Sequence, residues 1–396
     1  MKGWSETSLG DEIELAYGGS LPDRGRVPGP VPVFGSNGEV GTHKTALVRG
    51  PGIVVGRKGS VGAVAYSPVD FWPIDTTYYV LNRKGHDWRY LYHLLCSAGL
   101  EKLNSHSAVP GLNRENAYAL RLSIPERPEQ ETIARVLDLV RHLVDLNANA
   151  LETTIVLKQA VMKSVFTRGL RGEAQKETEI GLVPESWTVR ALAQACEIRS
   201  GGTPRKSESK FWGGDIPWLS GKDLKRPSLN DAEDHITDLG LHAGSRLAPA
   251  GAVMLLVRGM GLAKDLPVAT IERPMAFNQD IKALIPRGQL SGSFIRSAIY
   301  VGKERLLRRI VPSAHGTMTL NLDDVETFRI ACPTNPKEAD EIVAILNALD
   351  AKTDLHRRKR AVLDELFKAL LHKLMTGEIR VTDLDLSAIA EAGVGQ

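Results

Sequence analysis

A stripe of ten positions stepping alternately by four and three residues runs Ile133, Leu137, Val140, Val144, Asn147, Leu151, Thr154, Lys158, Val161, Val165. Moving each position on by 209 gives Ile342, Leu346, Leu349, Thr353, His356, Arg360, Leu363, Phe367, Leu370 and Leu374. Steps of four and three average to the 3.5-residue period at which helices pack along a continuous seam. Two such seams in the same register restrict the chain to a duplicated architecture built on two long helices.

Both stripes begin and end where helix termini are expected. Pro128 and Pro336 suit a first helical turn, where the missing N–H costs nothing, and Asn335 is a good N-cap. Gly169 and Gly377 follow the last stations and suit C-terminal stops. Each helix is then roughly 40 residues, or about 60 Å at 1.5 Å per residue, which is the length of a spacer. The polar stations Asn147, His356 and Arg360 either fix register and partner or reach solvent at the seam edge.

The duplication extends beyond the helices. A shift of 183 carries Trp4, Leu9, Glu14 and Gly18-Gly19-Ser20 onto Trp187, Leu192, Glu197 and Gly201-Gly202-Thr203. A shift of 200 carries Ile53-Val54-Val55 and Lys58-Gly59 onto Val253-Met254-Leu255 and Arg258-Gly259, while Val31-Pro32 matches Ile216-Pro217. Leu112-Asn113, Pro125 and Pro128 return as Leu320-Asn321, Pro333 and Pro336, a shift of 208. The growing shift means that loops are longer in the second copy.

The expected organisation is a globular domain at 1–127, a long helix at 128–170, a linker at 171–181, a second domain at 182–334, a second long helix at 335–377 and a tail at 378–396. At 396 residues the chain has room for more than one core. Short apolar runs punctuated by Gly and Pro predict strands over 53–55, 61–66, 78–81, 253–257 and 282–285, with helices over 88–103 and 294–307. Helices do not alternate regularly with strands, so the fold class is α+β: two β-rich domains joined by two long helices.

Hydrophobic residues at 42% and charged residues at 24% describe an ordinary folded chain. A net charge of +3 and a pI near 8.6 permit contact with a polyanion without requiring it. Cys96, Cys196 and Cys332 are too far apart to supply zinc ligands and read as buried reduced thiols of a cytoplasmic protein. The acidic start offers no apolar signal core and no run is long enough to span a bilayer, so no membrane partner is expected.

No GxxxxGK[ST], GxGxxG or HExxH pattern is present. Nor is there an Asn/Asp-Pro-Pro-aromatic loop to hold an adenine amino group: Asn335-Pro336-Lys337 is a helix start. These absences count against a stand-alone DNA enzyme. A coiled-coil protein whose globular ends bind other proteins stays open on the seam alone. Gly56-Arg57-Lys58-Gly59-Ser60-Val61-Gly62 reads as a hairpin turn or as a DNA-backbone contact.

Basic and amide side chains beside turn glycines are placed to reach phosphates and base edges. In the first domain these are Lys44, Arg49, Arg57 and Lys58; in the second, Arg199, Arg205, Lys206, Lys210, Lys222, Lys225 and Arg258. Asn278 and Gln279 either read adenine edges or cap a turn, and Trp72, Trp212 and Trp218 are large enough to anchor a core or a partner, the core being the expected role.

Several segments together resemble the specificity subunits of type I restriction-modification systems. Leu374-Met375-Thr376-Gly377-Glu378-Ile379-Arg380-Val381 is similar to the ending of those subunits, and Val165-Phe166-Thr167-Arg168-Gly169-Leu170 is a degenerate version of it. Ile180-Gly181-Leu182-Val183-Pro184-Glu185-Ser186-Trp187, Ser200-Gly201-Gly202-Thr203-Pro204 and Ile216-Pro217-Trp218-Leu219 carry the rest. The resemblance implies two target recognition domains, each reading half of an interrupted duplex site, on two long helices packed as an antiparallel coiled coil with pseudo-twofold symmetry. It also implies two methyltransferase subunits docked on those helices and a motor-nuclease subunit in the full complex. S-adenosylmethionine, ATP and Mg are then expected on the partners, with no cofactor in this chain. A specificity partner for a fused methyltransferase-nuclease is the nearest alternative.

Overall fold

Both seams fold as uninterrupted helices, Arg127–Arg168 with 42 residues and Pro336–Thr376 with 41. A computed structural model of the chain describes residues 3–103, 111–312 and 316–384, so most of the expected tail lies outside the described residues. Gly169 and Gly377 end the helices at φ +65° and +72°, the left-handed conformation that favours glycine.

The chain divides into two units, Met1–Ala150 with His356–Gln396, and Leu151–Leu355. Each holds one globular domain and one part of each long helix. In the first unit Ile133, Leu137 and Val140 share a core with Phe367, Leu370 and Leu374, and with Tyr90, Leu91 and Leu94 of the domain. The start of one helix meets the end of the other, so the pair is antiparallel within this unit. The second unit repeats the arrangement, with Met162, Val165 and Phe166 against Ala339, Ile342 and Leu346.

Corresponding stations are filled by different chemistry. Arg141 lies 4.0 Å from the ring centre of Phe367 in the first unit. The equivalent positions in the second unit, Asp350 and Lys158, form an ion pair. Asn147 and His356 are buried or half-buried at the seam, while Arg360 is exposed and pairs with Asp364 at 3.7 Å. Arg360 therefore reaches solvent, and Asn147 and His356 meet each other.

One tryptophan fastens each domain to a helix start. Trp4 Nε1 donates to Glu129 at 3.2 Å, and its repeat equivalent Trp187 donates to Glu338 at 3.2 Å. Both carboxylates sit in a first helical turn, where the helix dipole favours negative charge. In the first unit Arg380 adds two bonds to Glu129, at 3.0 and 2.9 Å. Beside the first helix, Asp138 accepts from Arg89 and lies 2.7 Å from His93 Nε2. Burial would raise the Asp138 carboxyl, but those two donors hold it down at about 2.

Each domain has its own main sheet, and the two sheets have the same strand order. In the first its order is Ile13–Tyr17, Thr77–Asn82, Gly52–Gly56, Val64–Ser67. In the second it is Cys196–Ser200, Ile281–Pro286, Val253–Leu256, Val268–Ile271, with Ser228–Leu229 added at the edge. The central strands Gly52–Gly56 and Val253–Leu256 are buried at every position, which is why they read as unbroken apolar runs. A smaller sheet in each domain pairs Val31–Gly35 with Trp72–Pro73, or Trp212–Leu219 with Met275–Phe277.

Some expected boundaries shift for local reasons. The strand expected over 61–66 is Val64–Ser67, because Gly62 turns at φ +76°. The helix expected over 88–103 stops at Ser97, since Gly99 adopts φ +67°, and resumes as a 3-10 turn, Leu100–Leu103. That over 294–307 is Gly292–Val301 followed by Lys303–Leu307. Cys196 and Cys332 are buried, and burial raises their thiols to about 12 and 11, whereas Cys96 is exposed and corrects the expectation of three buried thiols. Among the described residues no helix is long and apolar enough to cross a membrane.

Candidate nucleic-acid interface

Three segments of each domain converge into one loop cluster through backbone hydrogen bonds. In the first domain Gly18 N–H donates to Thr77 O at 3.1 Å and Gly19 N–H to Pro73 O at 2.9 Å. Arg57 and Lys58 N–H both donate to Thr76 O, at 3.0 and 3.1 Å. The second domain repeats the frame: Gly202 N–H donates to Phe277 O at 2.9 Å, and Val257 and Arg258 N–H to Asp280 O at 2.8 and 3.3 Å. A Cβ at Gly18 would collide with the carbonyl oxygens of Pro73 and Ile74, and one at Gly201 with those of Phe277 and Asn278. Glycine is required there so that two backbones can touch.

An indole closes each cluster. Trp72 Nε1 donates to Gly19 O at 3.1 Å, and Trp218 Nε1 to Gly202 O at 3.0 Å. The two tryptophans are not repeat equivalents. Trp72 sits opposite Val33 in its parallel strand pair, whereas Trp218 occupies the Val33-like strand opposite Ala276. Neighbouring strands have exchanged the large residue, and the hydrogen bond has stayed. Trp218 is a core residue as expected; Trp72 and Trp212 are half-buried.

Among the described residues the candidate cations fall into paired and unpaired sets. Arg199 binds Glu197 at 2.6 Å, Lys210 binds Glu208 at 3.6 Å, and Lys225 lies 3.9 Å from Glu233. Lys222 binds both Glu233 and Asp234 at 3.0 Å, and those two carboxylates raise its ammonium. Arg205 and Lys206 are exposed, and Arg205 gives its carbonyl to Trp212 Nε1 at 3.2 Å. Arg258 and Lys58 occupy equivalent turn positions and are exposed. Lys44 and Arg49 are exposed on the loop between Gly38–His43 and Gly52–Gly56. The 56–62 glycine stretch is a hairpin, closed by Gly62 N–H to Gly56 O at 2.8 Å.

Asn278 and Gln279 separate into different roles. Asn278 is 7% exposed and its Oδ1 accepts from Asp280 N–H at 3.1 Å, so it caps a turn and its side chain is not free to read a base. Gln279 is exposed, and its Oε1 accepts from Thr203 Oγ1 at 2.6 Å, which leaves its NH2 as the donor end of the amide. Thr203, Lys206, Gln279 and Ser220 line a cleft of about 340 Å³ with Lys222 and Asp280.

Sequence reasoning missed the aromatic part of the first cluster. Tyr17 and Tyr78 stand opposite each other in register, and Arg57 and Arg114 lie against their rings. Tyr17 immediately precedes the Gly18-Gly19 turn, a signal that was available. The equivalent pair in the second domain is Ser200 with Lys282, joined by a hydrogen bond of 2.6 Å. Burial, and then the charge of Arg258, lower the Lys282 ammonium below its ordinary value.

The seam residues expected to serve both packing and partner docking need a correction. Ile133, Leu137, Val140, Val144, Ile342, Leu346, Leu363, Leu370 and Leu374 are buried, and Leu151 and Leu349 partly so. A buried side chain packs within its own unit and has no surface to offer another chain. The large exposed apolar residues of the long helices are instead Leu146, Val156, Leu157, Ile345, Leu355, Val362 and Leu366. Leu146 and Leu355, like Leu157 and Leu366, are repeat equivalents 209 residues apart.

Duplicated β-rich domains, each with one glycine-pinned loop cluster carrying cations, and each tied to a long helix, define a paired recognition module. The chain belongs to the family of the type I restriction modification DNA specificity domain, whose model matches residues 1–155 and 184–365. It is 28% identical over 268 residues to a type I restriction enzyme specificity subunit of Escherichia coli, covering 67% of this chain and 64% of that protein. A type I restriction enzyme specificity subunit of Methanocaldococcus jannaschii is 27% identical over 205 residues, 49% of this chain and 45% of the relative. The chain thus matches less than two thirds of the length of either. The fold is similar to the crystal structure of a type I restriction-modification S subunit from M. genitalium, at TM-score 0.67 and 16% identity over 94% of this chain and 96% of that one. A structure described as showing complex assembly and conformational transition of the type I system matches at TM-score 0.55 and 17% identity, over 96% and 99%.

Proposed function

We propose that this chain is the DNA-specificity subunit of a type I restriction-modification complex, each domain reading one half of an interrupted duplex site through its loop cluster. The observation that carries this reading is that both clusters rest on one backbone frame while their side chains differ: Tyr17, Arg57 and Arg114 in one, Thr203, Gln279 and Lys282 in the other. A constant frame with variable side chains is what two readers of unlike half-sites require. The chain itself performs no catalytic step in this reading. S-adenosylmethionine, ATP and Mg act on partner subunits, two methyltransferases and a motor-nuclease, in the cytoplasm of a prokaryote. Repeat-equivalent exposed leucines, Leu146 with Leu355 and Leu157 with Leu366, favour two equivalent docking sites on the helices. The type I names of the relatives favour this assembly over a fused methyltransferase-nuclease.

The test exchanges residues 1–127 for the first domain of another member and maps methylation by sequencing DNA from cells that carry the chain with its methyltransferase. One half of the methylated motif should change and the other half stay. Change in both halves would sink the modular reading.

A further inference from the structure

We propose that Arg57 and Arg114 form a phosphate-contact site beside the exposed ring of Tyr17, a proposal that rests on the DNA-reading function above. Arg57 Cζ lies 5.3 Å from the Tyr17 ring centre and Arg114 Cζ 4.7 Å from it. Both lie 5.9 Å from the ring of Tyr78, whose centre is 5.2 Å from that of Tyr17. Tyr78 is 4% exposed and Tyr17 53%, so the ring pair, tilted at 54°, is anchored by its inner member and open at its outer one.

Aromatic faces attract guanidinium groups without neutralising them. Among the described residues neither arginine has a carboxylate oxygen within 4.0 Å, in contrast to Arg199, Lys210, Lys222 and Lys225. Their hydrogen bonds there go to neutral carbonyls, Arg57 Nη2 to Asp75 O at 2.7 Å and Arg114 Nη1 to Leu15 O at 3.3 Å. Each bond uses one of five N–H groups and fixes the plane of the fork. Arg57 Nε is buried without a hydrogen-bond partner, so the exposed part of its fork is what a ligand can reach.

Two neighbouring planar guanidinium forks without an anion match an acceptor that offers paired oxygens, such as a phosphate. They stand on the same frame as the Gly18-Gly19 turn, with Lys58 exposed alongside. The second domain reaches the same outcome with other residues. Lys282 and Arg258 also lack a carboxylate partner among the described residues, and Lys282 bonds only to the neutral hydroxyl of Ser200 there. Both copies leave two unneutralised cations at one place in the fold.

The experiment uses the full chain co-expressed with its methyltransferase subunits, and measures affinity against salt for a duplex carrying the methylated motif and for a scrambled duplex. Each phosphate contact removed flattens the slope of log affinity against log salt by about 0.9. Arg57→Ala and Arg114→Ala should each do so on both duplexes, and Arg57→Lys and Arg114→Lys should keep the slope. Arg114→Gln retains a donor for Leu15 and removes the charge; it should flatten the slope even if an alanine variant melts early. A flat slope in the unaltered chain overturns the DNA-reading function itself. A steep slope that survives all the charge-removing variants overturns only the phosphate site. So does altered preference at a single base pair, which marks a base contact, or lost methyltransferase assembly with the slope intact, which marks a protein contact.

Discussion

Asn147 and His356 occupy the same position of the repeat, 209 residues apart, and hydrogen-bond to each other. Asn147 Nδ2 donates to the His356 carbonyl at 2.9 Å, and Asn147 Oδ1 lies 3.0 Å from His356 Nδ1. Equivalent positions of the two antiparallel helices thus meet each other within the first unit. A polar pair there fixes the stagger of the two helices, because any slip separates the two side chains and strands them against apolar neighbours. The expected outcome is a coupling of about 1 kcal/mol in a double-mutant cycle with Asn147→Ala and His356→Ala, read by urea unfolding. Strictly additive losses would show that the contact does not set the register.

The glycine frame is tested by adding one carbon. Gly18→Ala should cost roughly 1–3 kcal/mol, because the new Cβ meets fixed carbonyl oxygens. Gly25→Ala, whose Cβ meets only the ring of Pro22 at ordinary contact distance, should stay within about 0.5 kcal/mol. Thermal melting of both variants decides, and equal melting points would remove the steric argument.

Asp138 links the first domain to its helix through a carboxyl held at about 2, against an ordinary value of 3.8. A depressed carboxylate stabilises the fold above its unfolded value and loses that contribution as pH falls through the folded one. Unfolding of the intact chain should therefore become easier between pH 3.8 and about 2. Asp138→Asn should be less stable at neutral pH and should lack that part of the acid slope. An identical acid profile in the variant would locate the sensitivity elsewhere.

Lys222 is neutralised by Glu233 and Asp234, so in the free chain it contributes little net charge to the interface. The double substitution Glu233→Gln with Asp234→Asn should release it. Affinity for a scrambled duplex should rise at low salt, and the salt slope should steepen by up to about 0.9. No change on either measure would place Lys222 outside the footprint.

The helices and the duplication were legible because they are periodic: a seam of ten stations and a shift near 200 residues survive divergence at any single position. The Gly18-Gly19 and Gly201-Gly202 turns were legible too, since only glycine admits such close backbones. The cluster of Tyr17, Tyr78, Arg57 and Arg114 was not, because its members come from four separate segments and meet only after the strands pair. Ion pairing was equally hidden. Lys222 and Lys206 look alike in sequence, and only folding brings Glu233 and Asp234 to the first. For Asn278 the turn-capping alternative held, as its neighbour Asp280 shows.

Trp72 and Trp218 show that a bond can be inherited while its donor is not. An alignment of the two copies sets Trp218 against Val33 and Trp72 against Ala276, and scores both columns as lost. The carbonyl they serve has kept its partner throughout. The fold therefore requires that this place be filled by an indole donor, not that a particular strand supply it, and a large residue on one strand can stand in for one on its neighbour.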